Sequence, residues 1–228
     1  MSNFIVGTAS NSSYFIQLQQ MLYSLHILLP NGTTVLILDN GLKSSQIKIL
    51  NKHFGFLNIK IIKRELTPYE RTSYLFKTFI HEVVLKEYSN HIYLWLDTKT
   101  NLKYDNEKLE AMLEHQPVYS HSPFSQAESL WTDLRTMNLI GLDEVSRETP
   151  QFQASAMMFD LRNEKGRDFL EQLIKLNYQK DIITPEGTTK GNNPPTHRQD
   201  QSVFSCLLKK FGYTRNPSLW AICHQTIF

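Results

Sequence analysis

The 228-residue sequence has only two cysteines, Cys206 and Cys223. Two thiols cannot build a disulfide framework or a four-thiolate zinc site, which favours a reducing, cytoplasmic setting. No apolar stretch approaches the roughly 18–20 residues of a membrane helix. The opening Met1-Ser2-Asn3-Phe4 lacks the charged and apolar regions of a signal peptide. There is no excess charge of either sign: 24 Lys and Arg face 22 Asp and Glu. That balance argues against a dominant basic footprint for nucleic acid. Gly-x-Gly-x-x-Gly, Gly-x-x-x-x-Gly-Lys-Ser/Thr and Gly-x-Ser-x-Gly are all missing, which speaks against dinucleotide cofactors, phosphate-loop NTPases and serine hydrolases of the nucleophile-elbow type. The eight histidines show no metalloprotease spacing. No internal repeat or low-complexity tract is present.

Hydrophobic residues make up 41% and aromatics 11% of the chain, enough to bury a sizeable core. The apolar pattern alternates between short runs and helical spacings. Phe4-Ile5-Val6, Val35 to Leu38, Ile59 to Ile62 and Ile92 to Leu96 read as strands. Phe15 to Leu29, Lys43 to Phe54 and Leu75 to Tyr88 read as helices. Strands alternating with helices predict an α/β fold, a mostly parallel twisted sheet with helices on both faces. The second half predicts a helix over Asp105 to Glu114, a strand at Val118 to Ser120, a helix over Glu128 to Met137 and a strand over Phe152 to Asp160. Helices from Glu164 to Leu176 and Asp200 to Phe211 follow, with Thr184 to His197 between them as a long loop. The expectation is one domain spanning 1–228, with a nucleotide-binding half over 1–103 and a second half over 104–228 that shares its sheet.

In open α/β sheets, ligands bind beyond the carboxyl ends of the strands. That directs attention to Gly7-Thr8-Ala9, Asp39-Asn40-Gly41 and Asp97-Thr98-Lys99. Small residues after the first strand let a ligand approach the backbone, and they equally suit a tight turn.

Four segments carry a resemblance to A-type nucleotide-sugar glycosyltransferases. Ile5 to Ser10 with Leu38 to Leu42 resembles the two strand ends that hold the donor base and ribose. Phe76-Lys77, a helix and then Tyr93 to Asp97 resembles the order that leads into the family's Asp-x-Asp motif. Gln153 to Asp160 is similar to the Asn-Ala-Gly-Val-Met-x-Phe-Asp strand beside the donor sugar, with Gln153 for Asn and Ser155 for Gly. His197-Arg198-Gln199-Asp200-Gln201-Ser202 resembles the Asp-Gln helix start near the transferred sugar, above all as invertebrate and viral glycosyltransferase-like proteins carry it. Glycogenin-like and lipopolysaccharide sugar transferases are similar too.

The resemblance implies transfer of a sugar from a nucleotide-diphosphate donor, a UDP-sugar first of all, to a glycan or other hydroxyl acceptor. Retention is slightly favoured over inversion, and a cytoplasmic enzyme of bacterial or viral type fits best. It implies catalytic roles for Asp200 and Gln201. Donor binding falls to Gly7, Thr8, Ala9, Asp39, Lys77, Asp97, Lys99, Gln153 and Arg198. Asp200 also suits a plain helix N-cap. The departure is at the metal site, where Lys99 replaces the second carboxylate. Two outcomes stay open. Asp97 with His224 could hold Mn²⁺ or Mg²⁺, or Lys99, with Lys77 or Arg198, could neutralise the diphosphate directly. A non-catalytic nucleotide- or glycan-binding protein of the same fold is the competing expectation. Trp131 and Tyr119 suit either sugar stacking in an acceptor pocket or core packing.

Overall fold

The computed structural model describes residues 3–120, 123–188, 196–214 and 223–225. Phe4–Ser10 forms β1, and a 3₁₀ turn at Ser12–Tyr14 leads into α1 (Phe15–Leu28). Asn11 starts that turn by accepting from the Ser13 amide at 2.9 Å. Helix α1 buries Phe15, Leu18, Met21, Leu22 and Leu25, the face its spacing predicts. Then follow β2 (Thr34–Asp39), α2 (Ser44–His53), β3 (Asn58–Lys63), α3 (Pro68–Thr72), α4 (Leu75–Glu87), β4 (Ile92–Leu96), β5 (Thr100–Leu102), α5 (Asn106–Leu113), β6 (Val118–Ser120) and β7 (Pro123–Ala127). After a 3₁₀ turn at Glu128–Leu130 come α6 (Leu134–Ile140), α7 (Glu144–Arg147), β8 (Pro150–Phe152), β9 (Ala156–Asp160), α8 (Glu164–Asn177), α9 (Lys180–Ile183), α10 (Gln199–Lys210) and β10 (Cys223–Gln225).

The main sheet has six strands in the order β3-β2-β1-β4-β9-β6. Strands β1 to β4 are parallel, while β9 runs antiparallel to both β4 and β6. Both halves of the chain therefore share one sheet. Side chains alternate along each strand, so the sheet buries a core on each face. Tyr93, Trp95 and Phe159 join α4, α8 and α10 on one face, and Leu94, Leu96 and Met158 join α1 and α5 on the other. No helix among the described residues is long and apolar enough to cross a membrane.

Two elements differ from expectation. The helix expected over Glu128 to Met137 is split. Asp133 is extended and its carboxylate caps the Arg135 amide at 2.9 Å, so α6 starts afresh there. The strand expected over Phe152 to Asp160 is also split, with β8 in a separate two-stranded sheet with β7. Between β8 and β9, the Ala154 carbonyl accepts from Lys77 Nζ at 3.2 Å, while the Ser155 carbonyl accepts from the Asp97 amide at 2.8 Å, one step beyond the Leu96–Ala156 pair of the β4–β9 ladder. Helix α3 goes beyond the sequence reading; its Thr67-Pro68-x-Glu70 start forms a capping box. Helix α9, which precedes the expected loop, is likewise beyond that reading. Part of that loop, 189–195, lies outside the described residues.

Candidate functional site

The carboxyl ends of β1, β2 and β4 open onto a cleft of two connected compartments. The larger, of about 510 Å³, is lined among others by Ser10, Asn11, Tyr14, Asn40, Arg71 and Lys99. The smaller, of about 260 Å³, is lined among others by Arg198, Gln199, Asp200 and Gln201. Tyr74, Lys77, Asp97 and Ser155 belong to both. A cleft at the strand ends of an α/β sheet, at this size, is the expected place for a small-molecule ligand.

Lys77 lies at the join. It sits in the first turn of α4, with only 6% of its side chain exposed. Its ammonium is 2.9 Å from Asp200 Oδ2 and 3.2 Å from Asp97 Oδ1. It also packs near the faces of Tyr74 and Trp95. Burial by itself would lower the pKa of this ammonium. The two carboxylates overcome that and hold it above the usual lysine range. Asp200 is pushed the other way. Burial raises its pKa above the ordinary aspartate value, with Lys77 opposing. His81, buried beneath Lys77, is pushed down to about 3, first by burial and then by the lysine's charge. Its Nδ1 shares a 2.8 Å hydrogen bond with the Tyr93 hydroxyl.

Backbone strain marks the same place. Tyr74 (φ 60°) and Gln199 (φ 41°) are the two residues other than glycine with positive φ among the described residues. They start α4 and α10, and both line the cleft. Such conformations cost of order 1–3 kcal/mol and gather at ligand sites. Here they set the first turns of the two helices that carry Lys77 and Asp200.

The predicted site residues divide into two groups. Ala9, Lys77, Asp97, Lys99, Arg198, Asp200 and Gln201 line the cleft. Gly7, Thr8, Asp39 and Gln153 line neither compartment. Gly7 lies within β1 beneath α4, where a Cβ would stand 2.8 Å from both Ile80 Cγ2 and the Tyr93 hydroxyl. Its smallness lets the helix approach the sheet. Thr8 is fully buried. Asp39 folds the turn after β2, accepting from the Gly41 and Leu42 amides at 2.9 and 2.7 Å. The Gln153 carbonyl accepts from Ser120 at 2.7 Å. Tyr119 is core, its hydroxyl donating to Met112. Trp131 is mostly buried, with the Arg198 guanidinium 3.7 Å above its ring. Burial lowers the Arg198 pKa.

Arg71 and Tyr74 are cleft residues that the sequence reading did not single out. The capping box of α3 was the available signal for Arg71. Nothing in a single sequence marks Tyr74 as left-handed.

A divalent cation finds few donors here. Asp97 Oδ1 already accepts from Trp95 Nε1 at 2.9 Å and faces Lys77. Lys99 lines the same compartment, its ammonium 4.9 Å from the Tyr14 ring centroid. Among the described residues no three His, Cys, Asp or Glu groups gather where a metal ion could be held. Residue 224 pairs through its backbone with Asn101 in the β10–β5 ladder, which brings that strand beside the segment following Asp97. The His224 side chain lies outside the described residues. Among the described residues, the cleft carboxylates Asp97 and Asp200 both face the Lys77 ammonium.

A scan against protein families finds no match, and no curated protein matches the sequence. Solved structures do match in shape. The bifunctional glycosyltransferase WbbM, in apo form, aligns with a TM-score of 0.57 at 12% identity, over 90% of this chain and 37% of that one. The chain thus spans little more than a third of WbbM. Mouse xyloside xylosyltransferase 1, in apo form, gives 0.54 at 9% identity, over 92% of this chain and 82% of that one. The galactosyltransferase LgtC, solved in complex with donor and acceptor sugar analogs, gives 0.52 at 13% identity, over 98% and 84%. The chain has the A-type glycosyltransferase fold.

Proposed function

We propose that this protein transfers a sugar from a nucleotide-diphosphate donor, a UDP-sugar, to an acceptor hydroxyl. The observation that carries the reading is the Asp97–Lys77–Asp200 ion triad at the join of two compartments, at the strand ends of this fold. The larger compartment takes the nucleoside diphosphate, between the β1 and β2 ends and Tyr14. The smaller takes the sugar and the acceptor. In the reaction the bond from the anomeric carbon to the diphosphate breaks, and the acceptor oxygen bonds to that carbon as its proton passes to the departing diphosphate. Lys99 and Arg71 meet the departing negative charge. A compact ammonium and a guanidinium both serve that purpose. Asp200 is tied to Lys77 and anchors the sugar, while Gln201 faces the developing positive charge. That division of labour fits retention.

Incubation with a panel of nucleotide sugars tests this. The expected result is release of the nucleoside diphosphate from one donor, in EDTA as well as in Mn²⁺, with the product keeping the donor's anomeric configuration. Loss of turnover in EDTA that Mn²⁺ restores would overturn the role given to Lys99 and Arg71. Absence of binding to every nucleotide sugar in calorimetry would overturn the donor site. One observation favours a second reading, a non-catalytic nucleotide- or glycan-binding protein: Lys99 stands where the family keeps a carboxylate. Tight donor binding with no turnover on any acceptor would select it.

A further inference from the structure

Gln201 lines the sugar-side compartment, and its side chain ends in an amide whose two ends are chemically opposite. The oxygen accepts and stabilises positive charge, whereas the NH₂ group donates. Which end meets a ligand decides what Gln201 can do. The structure fixes that choice from a distance.

Glu128 is fully buried at the turn after β7. Its Oε1 accepts from the Thr132 hydroxyl at 2.5 Å and from Gln151 Nε2 at 2.9 Å. Its Oε2 accepts from the Ser205 hydroxyl and pairs with Lys209 Nζ at 2.8 Å. A carboxylate offers about four acceptor sites and no donor, and four donors converge on this one. Gln151 must therefore present its NH₂ to Glu128. That leaves Gln151 Oε1 pointing the other way, where it accepts from Gln201 Nε2 at 2.7 Å. Gln201 in turn has its NH₂ committed, and its carbonyl oxygen is the end left for the cleft.

We infer that Gln151 and Glu128 are positioning residues for catalysis. A buried charge, relayed through one amide, locks the Gln201 carbonyl toward the reacting sugar. The inference rests on the sugar-transfer reading for its function, but not for its geometry. The relay lies on rigid parts. Gln151 sits in β8, which α10 grips through Ser205 Oγ on the Phe152 amide at 2.8 Å. Ser202, next to Gln201, accepts from the Arg198 amide and donates to the Trp131 carbonyl, both at 2.9 Å. A free amide would divide its time between two orientations of similar energy. The relay removes the one that would present a donor to a centre gaining positive charge.

The test uses Gln151→Met, which keeps the side-chain length and removes the hydrogen bonds to Glu128, Thr132, Ser202 and Gln201, beside Gln201→Met and the double variant. Thermal melting first establishes that each is folded. For Gln151→Met, kcat is expected to fall about tenfold, the value of one lost hydrogen bond, with donor KM within about twofold. The double variant is expected to be no slower than Gln201→Met alone, because Gln151 acts only through Gln201. A further loss in the double variant, or a rise in KM at constant kcat, would overturn the assignment. The second readout needs no turnover. In ¹⁵N-labelled protein the Gln201 side-chain NH₂ signal, identified by its loss in Gln201→Met, is expected to exchange slowly with solvent and to lose that protection in Gln151→Met. Fast exchange in the unsubstituted protein, or protection that survives Gln151→Met, would overturn the orientation. If the unsubstituted protein transfers no sugar, the proposed function falls and the exchange measurement alone decides the geometry.

Discussion

Among the described residues two buried lysines sit in ion clusters, and they are built to opposite plans. Lys209 and Glu128 are 2% and 0% exposed in their side chains. Their charges balance, and the remaining capacity is filled by Thr132, Ser205, Gln151 and the carbonyls of Ser146 and Thr149. Lys77, by contrast, faces two carboxylates. Asp200 is 9% exposed and Asp97 is 41% exposed. This cluster sets two carboxyl groups against one ammonium, is open on one side and is flanked by strained backbone at Tyr74 and Gln199. A balanced, closed and fully partnered cluster offers a ligand no field of its own. An unbalanced, open one leaves part of its field for a ligand. The difference separates scaffold from site without reference to any relative. Through Gln151 the scaffold cluster still reaches the site.

The sharpest way to break this comparison is to remove each lysine in turn. Lys209→Met strands a fully buried carboxylate and should lower stability by about 3–5 kcal/mol, read as an early denaturation midpoint in urea. Lys77→Met should cost less stability, because Asp97 is open to water. It should instead lower kcat/KM about 10²- to 10³-fold. If the two variants lose stability equally and Lys77→Met keeps its turnover, the distinction between the clusters collapses.

Acid should reach the cleft side first. The His81 imidazole is held down to about 3 by burial and by Lys77, and His197, at the start of the α10 approach, is held down to about 4, chiefly by burial. Both are neutral in the folded chain, whereas the unfolded chain protonates them near 6.5. The stability they confer is therefore complete above about pH 6.5. It falls as pH drops toward 4, by up to about 1.4 kcal/mol per pH unit for each histidine. Urea midpoints measured across that range check it. Lys77→Met should raise the His81 pKa and soften the slope, and an unchanged slope would mean that the lysine's charge does not reach the histidine.

The smallest expected effect concerns strain. Gln199→Gly should relieve the positive φ and leave stability level or raise it by about 1 kcal/mol. Turnover should fall as the first turn of α10 loosens. A gain in stability with full turnover would show that this strain has no part in the site.

Much of the fold was legible in the sequence. The alternation of period-two and helical apolar spacing gave the strands and helices around the sheet, because burial of one face imposes its period on neighbouring residues. The cleft was legible in part. Asp97, Lys99, Asp200 and Gln201 stand at element ends, where such folds place ligands. Gly7 and Asp39 lie in the same segments, yet Gly7 serves packing and Asp39 serves its own turn. The split between β8 and β9 was not legible. The residues across it, Gln153 to Ser155, carry no breaker, and the split shows only in the pairing, with β8 beside β7 and β9 between β4 and β6.

The sequence by itself determined which segments are strands and helices and which strand ends could face a ligand, since these follow from local burial patterns. Only the tertiary structure decided that Lys77 lies between Asp97 and Asp200, that Glu128 and Lys209 balance each other in the interior, and that Gln151 orients Gln201. Those are meetings of side chains far apart in the chain. Their energies depend on distance and desolvation, which no spacing of letters encodes.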